Sequence, residues 1–142
     1  MKSFEGIHPI LTNHLRLDWL TEFKLQDVID FQKKFDKNAD IKSTGDFINE
    51  AMKDVMRQKA LLWGIEDKEN HKFMGMGGIA NISEDDTAPT IYIQAIDSMD
   101  TGLELELINR IHILAKNYWP TAKFSYNVYP SNAEIERHLK LY

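Results

Sequence analysis

The chain has 142 residues, 43% hydrophobic and 27% charged, proportions that exclude disorder and collagen-like order and at this length predict one compact domain. Its formal net charge is −5, with Lys and Arg scattered through the helices, which excludes the clustered cations on which nucleic-acid binding depends. The absence of cysteine excludes disulfides, thiolate metal sites and cysteine nucleophiles, and fits a reducing cytoplasm.

No apolar run approaches the ~18 residues that cross a bilayer, and Glu5, His8 and Pro9 stand where a signal peptide needs an apolar core. The expectation is therefore an unprocessed chain with no membrane partner. After a loop-like leader, Leu15, Leu17 and Trp19 alternate with Arg16 and Asp18, the period of a half-buried strand. Thr21 offers an N-cap to a first helix carrying Leu25, Val28, Ile29, Phe31 and Phe35, closed by Asn38 and Asp40. Ser43 and Asp46 form a capping box for a second helix reaching about Lys59, with Phe47, Ile48, Ala51, Met52 and Val55 as its buried stripe.

The period then switches to two. Leu61, Trp63 and Ile65 share a face, a polar turn follows over residues 67–70, and a second strand over 72–82 completes a hairpin. Gly75, Gly77 and Gly78 inside that strand either permit a bulged, twisted sheet or clear space for a substrate, and twist is the simpler account. Glu84, Asp85 and Asp86 with Pro89 form a solvated turn into a strand over 90–96. A helix from Gly102 to about Tyr118 buries Leu103, Leu107, Ile111, Leu114 and Tyr118 and stops at Pro120. A strand over 123–128 and a helix over 131–141 follow. The predicted class is α/β, in the order β-α-α-β-β-β-α-β-α, with a mixed, mostly antiparallel central sheet and helices on both faces.

This order resembles the GNAT superfamily of acetyl-CoA-dependent acyltransferases, especially its ribosomal-protein N-acetyltransferase branch. Leu11-Thr12-Asn13-His14-Leu15-Arg16-Leu17 with Leu20-Thr21-Glu22 is similar to the branch's opening, L-T-x-x-L-x-L-R-x-L-T. Leu61-Leu62-Trp63-Gly64-Ile65 with Met74-Gly75-Met76-Gly77-Gly78-Ile79 resembles its hairpin, and Asn127 with Ser131-Asn132-Ala133 its N-x-x-S-N passage. The likeness spans nearly the whole chain, as a single domain over 1–142 without the family's final two strands.

The resemblance implies acetyl-CoA as co-substrate and a primary amine, on a small molecule, peptide or protein N-terminus, as acceptor. It places the pantetheine arm in an opening between the strands at 90–96 and 123–128, and the pyrophosphate on the amides that start the next helix. Cofactor contacts fall on Ile96, Asp97, Ser98, Met99, Thr101, Gly102, Leu103 and Asn132. Tyr92 and Gln94 become the candidate catalytic pair, able to orient the amine or a water, although alternation alone also makes them ordinary cleft residues. The family's phosphate loop reads Q/R-x-x-G-x-G/A. Here it is Met99-Asp100-Thr101-Gly102-Leu103-Glu104, keeping the middle glycine, and Asp97, Asp100, Glu104 and Glu106 are expected around the phosphates. No carboxylate lies on the Thr90, Tyr92, Gln94 face, and the family's tyrosine acid falls at Leu139. These departures predict a slow enzyme, and leave open a non-catalytic module that keeps the fold for binding.

His8, His14, His71, His112 and His138 lack metal-ligand spacing, so no metal is expected. The outer strand at 123–128 has one lysine as edge guard, which predicts a homodimer unless the leader folds over it.

Overall fold

The computed structural model of the chain describes residues 4, 6–82 and 88–142; the acidic turn at Glu84, Asp85 and Asp86 lies outside them. One six-stranded sheet, in the spatial order β1 (Ile10–Leu11), β2 (Leu15–Asp18), β3 (Leu61–Asp67), β4 (Phe73–Ala80), β5 (Thr90–Ala95) and β6 (Ser125–Tyr129), runs through the molecule. Neighbours pair antiparallel except β5 and β6, which are parallel because helix α3 (Thr101–Tyr118) carries the chain across between them. Helices α1 (Leu25–Lys33) and α2 (Ile41–Met56) cover one face; α3 covers the other, with α4 (Ala133–Leu139) packed beside it. The mixed α/β architecture predicted from the sequence is the one observed.

Burial on both faces explains the apolar run of β3. Leu61, Trp63 and Ile65 are fully buried as predicted, but Leu62 and Gly64 on the opposite face are buried too. Trp63 stacks on Trp19 at 6.1 Å, and its indole N–H donates to the carbonyl of Ile7 at 2.9 Å, tying the leader to the core.

Several boundaries differ from the sequence reading, each for a local reason. The leader is not all loop: Ile10 and Leu11 pair with Leu17 and Arg16 as β1, too short for periodicity to reveal. Thr21 is no N-cap, since buried Leu20 draws the chain into a 3-10 turn, Leu20–Glu22, and α1 starts only at Leu25. The capping box of α2 begins three residues before Ser43. Asp40 accepts the Ser43 amide at 2.8 Å while its own amide donates to the Ser43 hydroxyl at 3.0 Å, so Ser43 is the far half of the box and Asp46 has no part in it. Phe47, expected inside, is 39% exposed.

The hairpin glycines have two jobs. Gly75 takes φ +153° beside a register shift at Ile65 and Glu66, as a bulge requires. At Gly78 an added Cβ would stand 1.9 Å from the Leu61 carbonyl oxygen and 2.8 Å from the Tyr92 hydroxyl, so this glycine makes room for close backbone approach within the protein.

Candidate functional site

Along β5, Ile91, Ile93 and Ala95 point into the core under α3, while Thr90, Tyr92 and Gln94 face the α1 and α2 side. The β5 and β6 ladder is unbroken from Thr90 opposite Ser125 to Gln94 opposite Tyr129. An opening along the whole length of these strands is thus closed by backbone pairing, and the strands part only beyond Gln94 and Tyr129. There the Ile96 amide turns away to the Met74 carbonyl at 2.9 Å, and Pro130 follows β6.

The parted ends meet again at two helix starts. Asn132 caps α4 by accepting the Ile135 amide at 2.9 Å, and its side-chain amide donates to the Thr101 hydroxyl at 2.8 Å, at the first residue of α3. Across the mouth, the Tyr129 hydroxyl donates to Asp97 at 3.0 Å. Of the predicted cofactor residues, Asp97 and Ser98 line the cleft at this mouth and Thr101 and Asn132 meet beside it, while Gly102 and Leu103 line a separate cleft with His14, Lys68 and Glu106. Ile96 and Met99 do not expose their side chains, which are 6% and 4% accessible and belong to the core. Their amides are already taken, by Met74 and Ile96 respectively.

The start of α3 offers backbone amides to an anion, but one of them is already taken. Asp100 is the N-cap, and its carboxylate accepts the Leu103 amide at 2.8 Å. A Cβ at Gly102 would meet only that carboxylate oxygen, at 3.2 Å, so a phosphate can approach the first turn closely. An anion at this turn would stand in a cleft lined by the carboxylates of Asp67, Glu69, Asp100 and Glu106, with Lys68 and His14 as the cationic partners beside them.

Of the other two carboxylates expected here, Glu104 turns away from this cleft and Glu106 lines it. Glu104 lies inside, 2% exposed on the stripe of Leu107, Ile108 and Ile111, and burial pushes its carboxyl up to about 7. Glu106 lines the same cleft as Asp100, Gly102 and Leu103, where it accepts from the Thr12 hydroxyl and the His14 amide and pairs with the His14 ring at 2.7 Å. The hydrogen bond and charge of Glu106 raise the pKa of the His14 imidazole, and the bonds from Thr12 and His14 lower that of Glu106 against the cost of burial.

Tyr92 and Gln94 share a face, as alternation predicts, but differ in freedom. The Tyr92 hydroxyl donates to the Leu61 carbonyl at 3.3 Å, and burial lifts its pKa far above the ordinary phenol value. Its phenol fills the room left by Gly78. Gln94 stands where two clefts meet, one of about 680 Å³ beyond the end of α1 and one of about 410 Å³ under α2. Sequence reasoning finds no carboxylate on this face because it looks only along β5. The structure brings two from α2, Glu50 and Asp54, into the smaller cleft. Their signal was present as an i, i+4 pair flanking the stripe of Ala51 and Val55.

Leu139, aligned with the family's tyrosine, lies partly buried on α4. Tyr142 beyond it stacks on His112 at 3.7 Å, and His112 shares a hydrogen bond with the Tyr126 hydroxyl at 2.7 Å. Among the described residues no three His, Asp or Glu side chains gather as metal ligands, and no helix is long and apolar enough to cross a membrane.

No family model matches the sequence, and no curated protein matches it. Solved structures do. A protein from Vibrio cholerae assigned as a ribosomal-protein-serine acetyltransferase superposes with TM-score 0.75 at 12% identity, over 96% of this chain and 81% of its own. The ribosomal-protein-S5-alanine acetyltransferase of Vibrio fischeri gives 0.71 at 13% identity, over 94% and 80%. The microcin C7 self-immunity acetyltransferase MccE, solved with acetyl-CoA and AMP, gives 0.62 at 19% identity, over 81% and 69%. At these identities the likeness is one of fold, and the fold is that of the GNAT acetyltransferases.

Proposed function

We propose that the protein is an N-acetyltransferase that moves an acetyl group from acetyl-CoA to a primary amine. One observation carries this reading: a parallel strand pair, β5 and β6, that parts beyond Gln94 and Tyr129 at a mouth where Asn132 and Thr101 tie together the starts of two helices. The fold shared with acetyltransferases supports it. In this reading the first turn of α3, at Thr101 and Gly102, holds the pyrophosphate with its amides and the positive end of its dipole. Asp97, Ser98 and Asn132 line the approach, and Gln94 presents a polar side chain to the reacting groups.

Acetyl-CoA supplies an activated acetyl thioester. The protein's part is to position a neutral amine against it, so that the C–N bond forms as the C–S bond breaks and the amine proton leaves to solvent. Tyr92 is poorly suited to take that proton, because its hydroxyl is bound to the Leu61 carbonyl and its pKa is raised by burial. Supply of acetyl-CoA makes the cytoplasm the site of action.

A binding module without catalysis is the second reading, favoured by the hold of Asp100 on the Leu103 amide. Titration calorimetry with acetyl-CoA separates the two. Saturable binding, followed by a one-acetyl mass gain on an added amine, supports the enzyme; absence of binding removes it. We further propose a homodimer through the outer edge of β6, where Ser125, Asn127 and Tyr129 are exposed, while the described leader lies at the opposite edge of the sheet as β1. Light scattering at micromolar concentration that returns the mass of a single chain would remove this part.

A further inference from the structure

We propose that the cleft of about 410 Å³ under α2 binds a cation on an apolar body: a primary ammonium carried by an alkyl or aryl group with no anionic substituent. The site stands on the geometry of this one cleft. That its occupant is the acetyl acceptor rests on the acetyltransferase reading, whose substrate class it then names.

The cleft forms where the end of α2 comes down on the sheet. Asp54 stands near that end, and its main-chain carbonyl accepts the Lys59 amide at 2.8 Å and the Ala60 amide at 3.4 Å as the chain turns into β3. Below it the sheet register sets Leu62 opposite Gly78 and Gly78 opposite Tyr92, whose phenol lies against that glycine. Leu62, Met76 and Ala80 line the cleft with the Tyr92 ring, so its floor is hydrocarbon and aromatic surface. Phe47, left 39% exposed on α2, borders the same space.

The charged side chains lining this cleft are both carboxylates, Glu50 and Asp54. Glu50 is exposed and leans on Lys53 at 3.3 Å. Asp54 is half-buried, and its carboxylate has neither an ion pair nor a hydrogen bond among the described residues. Lys53, Arg57 and Lys59, its basic neighbours in sequence, are exposed and do not line the cleft. The charge of Asp54 reaches the floor, where it joins burial in raising the pKa of the Tyr92 phenol. The negative end of the α2 dipole acts in the same sense. An anion is therefore repelled here, a small polar cation leaves the floor uncovered, and a neutral apolar molecule leaves Asp54 unpaired. An ammonium on an apolar body pairs with the carboxylate and covers the floor together. Tyr92 and Gln94 lie two residues apart on one face of β5, about 7 Å along the strand, so the amine is held on the face where the proposed transfer takes place.

The test titrates the full chain, without acetyl-CoA, with benzylamine, benzyl alcohol, methylamine and 4-(aminomethyl)benzoate, followed by amide chemical shifts. Benzylamine is expected to bind at about 1 mM, within reach of so small a probe, and at least about 10-fold more tightly than the other three, as one charged contact provides. Its shifts should centre on Ala51, Asp54, Leu62 and Met76. Asp54→Asn should bring benzylamine to the level of benzyl alcohol and leave benzyl alcohol unchanged, which also shows that the variant folds. Asp54→Glu should keep the preference for the amine. Equal binding of benzylamine and benzyl alcohol, unchanged benzylamine binding in Asp54→Asn, or no shift well above about 1 mM overturns the proposal. Mass spectrometry after acetyl-CoA is added tests the transfer reading separately. Binding without acetylation keeps the site and removes its occupant as the acceptor. Acetylation at unchanged kcat/KM in Asp54→Asn keeps the enzyme and removes this site as the place of its amine.

Discussion

Replacing Glu104 should make the protein more stable, although the residue is one of the most deeply buried on α3. Its Oε2 has no partner among the described residues, and only 2% of the residue meets solvent. The carboxyl rises from 4.5 to about 7 because burial disfavours its charged form. A carboxyl with a raised folded-state pKa contributes its full stability below the unfolded value and loses it as pH climbs through the folded value. At about 1.4 kcal/mol per tenfold change in proton affinity, the gap from 4.5 to about 7 sets a ceiling near 3 kcal/mol. Relaxation and water reaching the first turn of α3 reduce this to about 1 to 2 kcal/mol. Urea unfolding of the natural chain should show stability falling between about pH 5 and pH 8. Glu104→Gln should flatten that slope and exceed the natural chain at pH 8, the two converging near pH 5. Glu104→Leu, which buries no polar group, should do at least as well. If both variants are less stable at pH 8 and keep the natural slope, the carboxylate is held by a buried partner and the reasoning fails.

Three further outcomes follow from the site. Asp100→Asn keeps a capping side chain but removes a charge from the start of α3, so acetyl-CoA affinity should rise about 5-fold at low salt, the gain shrinking as salt screens it; unchanged affinity at every ionic strength would mean that no phosphate rests there. Gly78→Ala forces a Cβ to 1.9 Å from a backbone oxygen, and denaturant unfolding should show a loss of about 3 kcal/mol, whereas a loss below about 1 kcal/mol would show that β3 and β4 slide apart freely. Acetyl transfer should climb steadily with pH as the neutral amine becomes available, and Tyr92→Phe should leave the rate within about twofold, since this phenol is bound to Leu61 and pushed far up in pKa; a rate that levels off near neutrality and collapses in Tyr92→Phe would restore the tyrosine as the base.

The fold was legible where one physical signal dominated. The alternation of Thr90, Tyr92 and Gln94, the change of period at Leu61 and the stop at Pro120 each translate directly into an element of the structure. Legibility failed where partners were distant in sequence. Nothing near Ile10 announces that it pairs with Leu17, and nothing near Thr21 announces that burial of Leu20 tightens the turn before it. At the candidate site, the resemblance pointed to Gly102 and Asn132, while the groups packed against β5 had no signal along β5 itself. The carboxylates of Glu50 and Asp54 reach the Tyr92 and Gln94 face from a helix some forty residues upstream, and only the packing of α2 on the sheet brings them there. Glu104 was expected around the phosphates because of its place in the loop motif, and its position on the helical stripe of Leu107, Ile108 and Ile111 buries it instead.

The order of strands in space follows their order in the chain, and this makes the mouth depend on β6 and α4 at one edge of the sheet. β6 and α4 are joined to the rest by one parallel ladder, by the flank of α3 and by the contact of Tyr129 with Phe35, after a loop closed over the whole of that helix. They form the natural unit for local unfolding, able to detach while the antiparallel hairpins stay intact. Every such excursion separates Asn132 from Thr101 and Tyr129 from Asp97, so the mouth exists only while this segment is seated. A molecule bound there draws on the docking free energy of β6 and α4, and its occupancy is recorded as slowed amide exchange concentrated in residues 125–139 before any change in the remainder of the sheet.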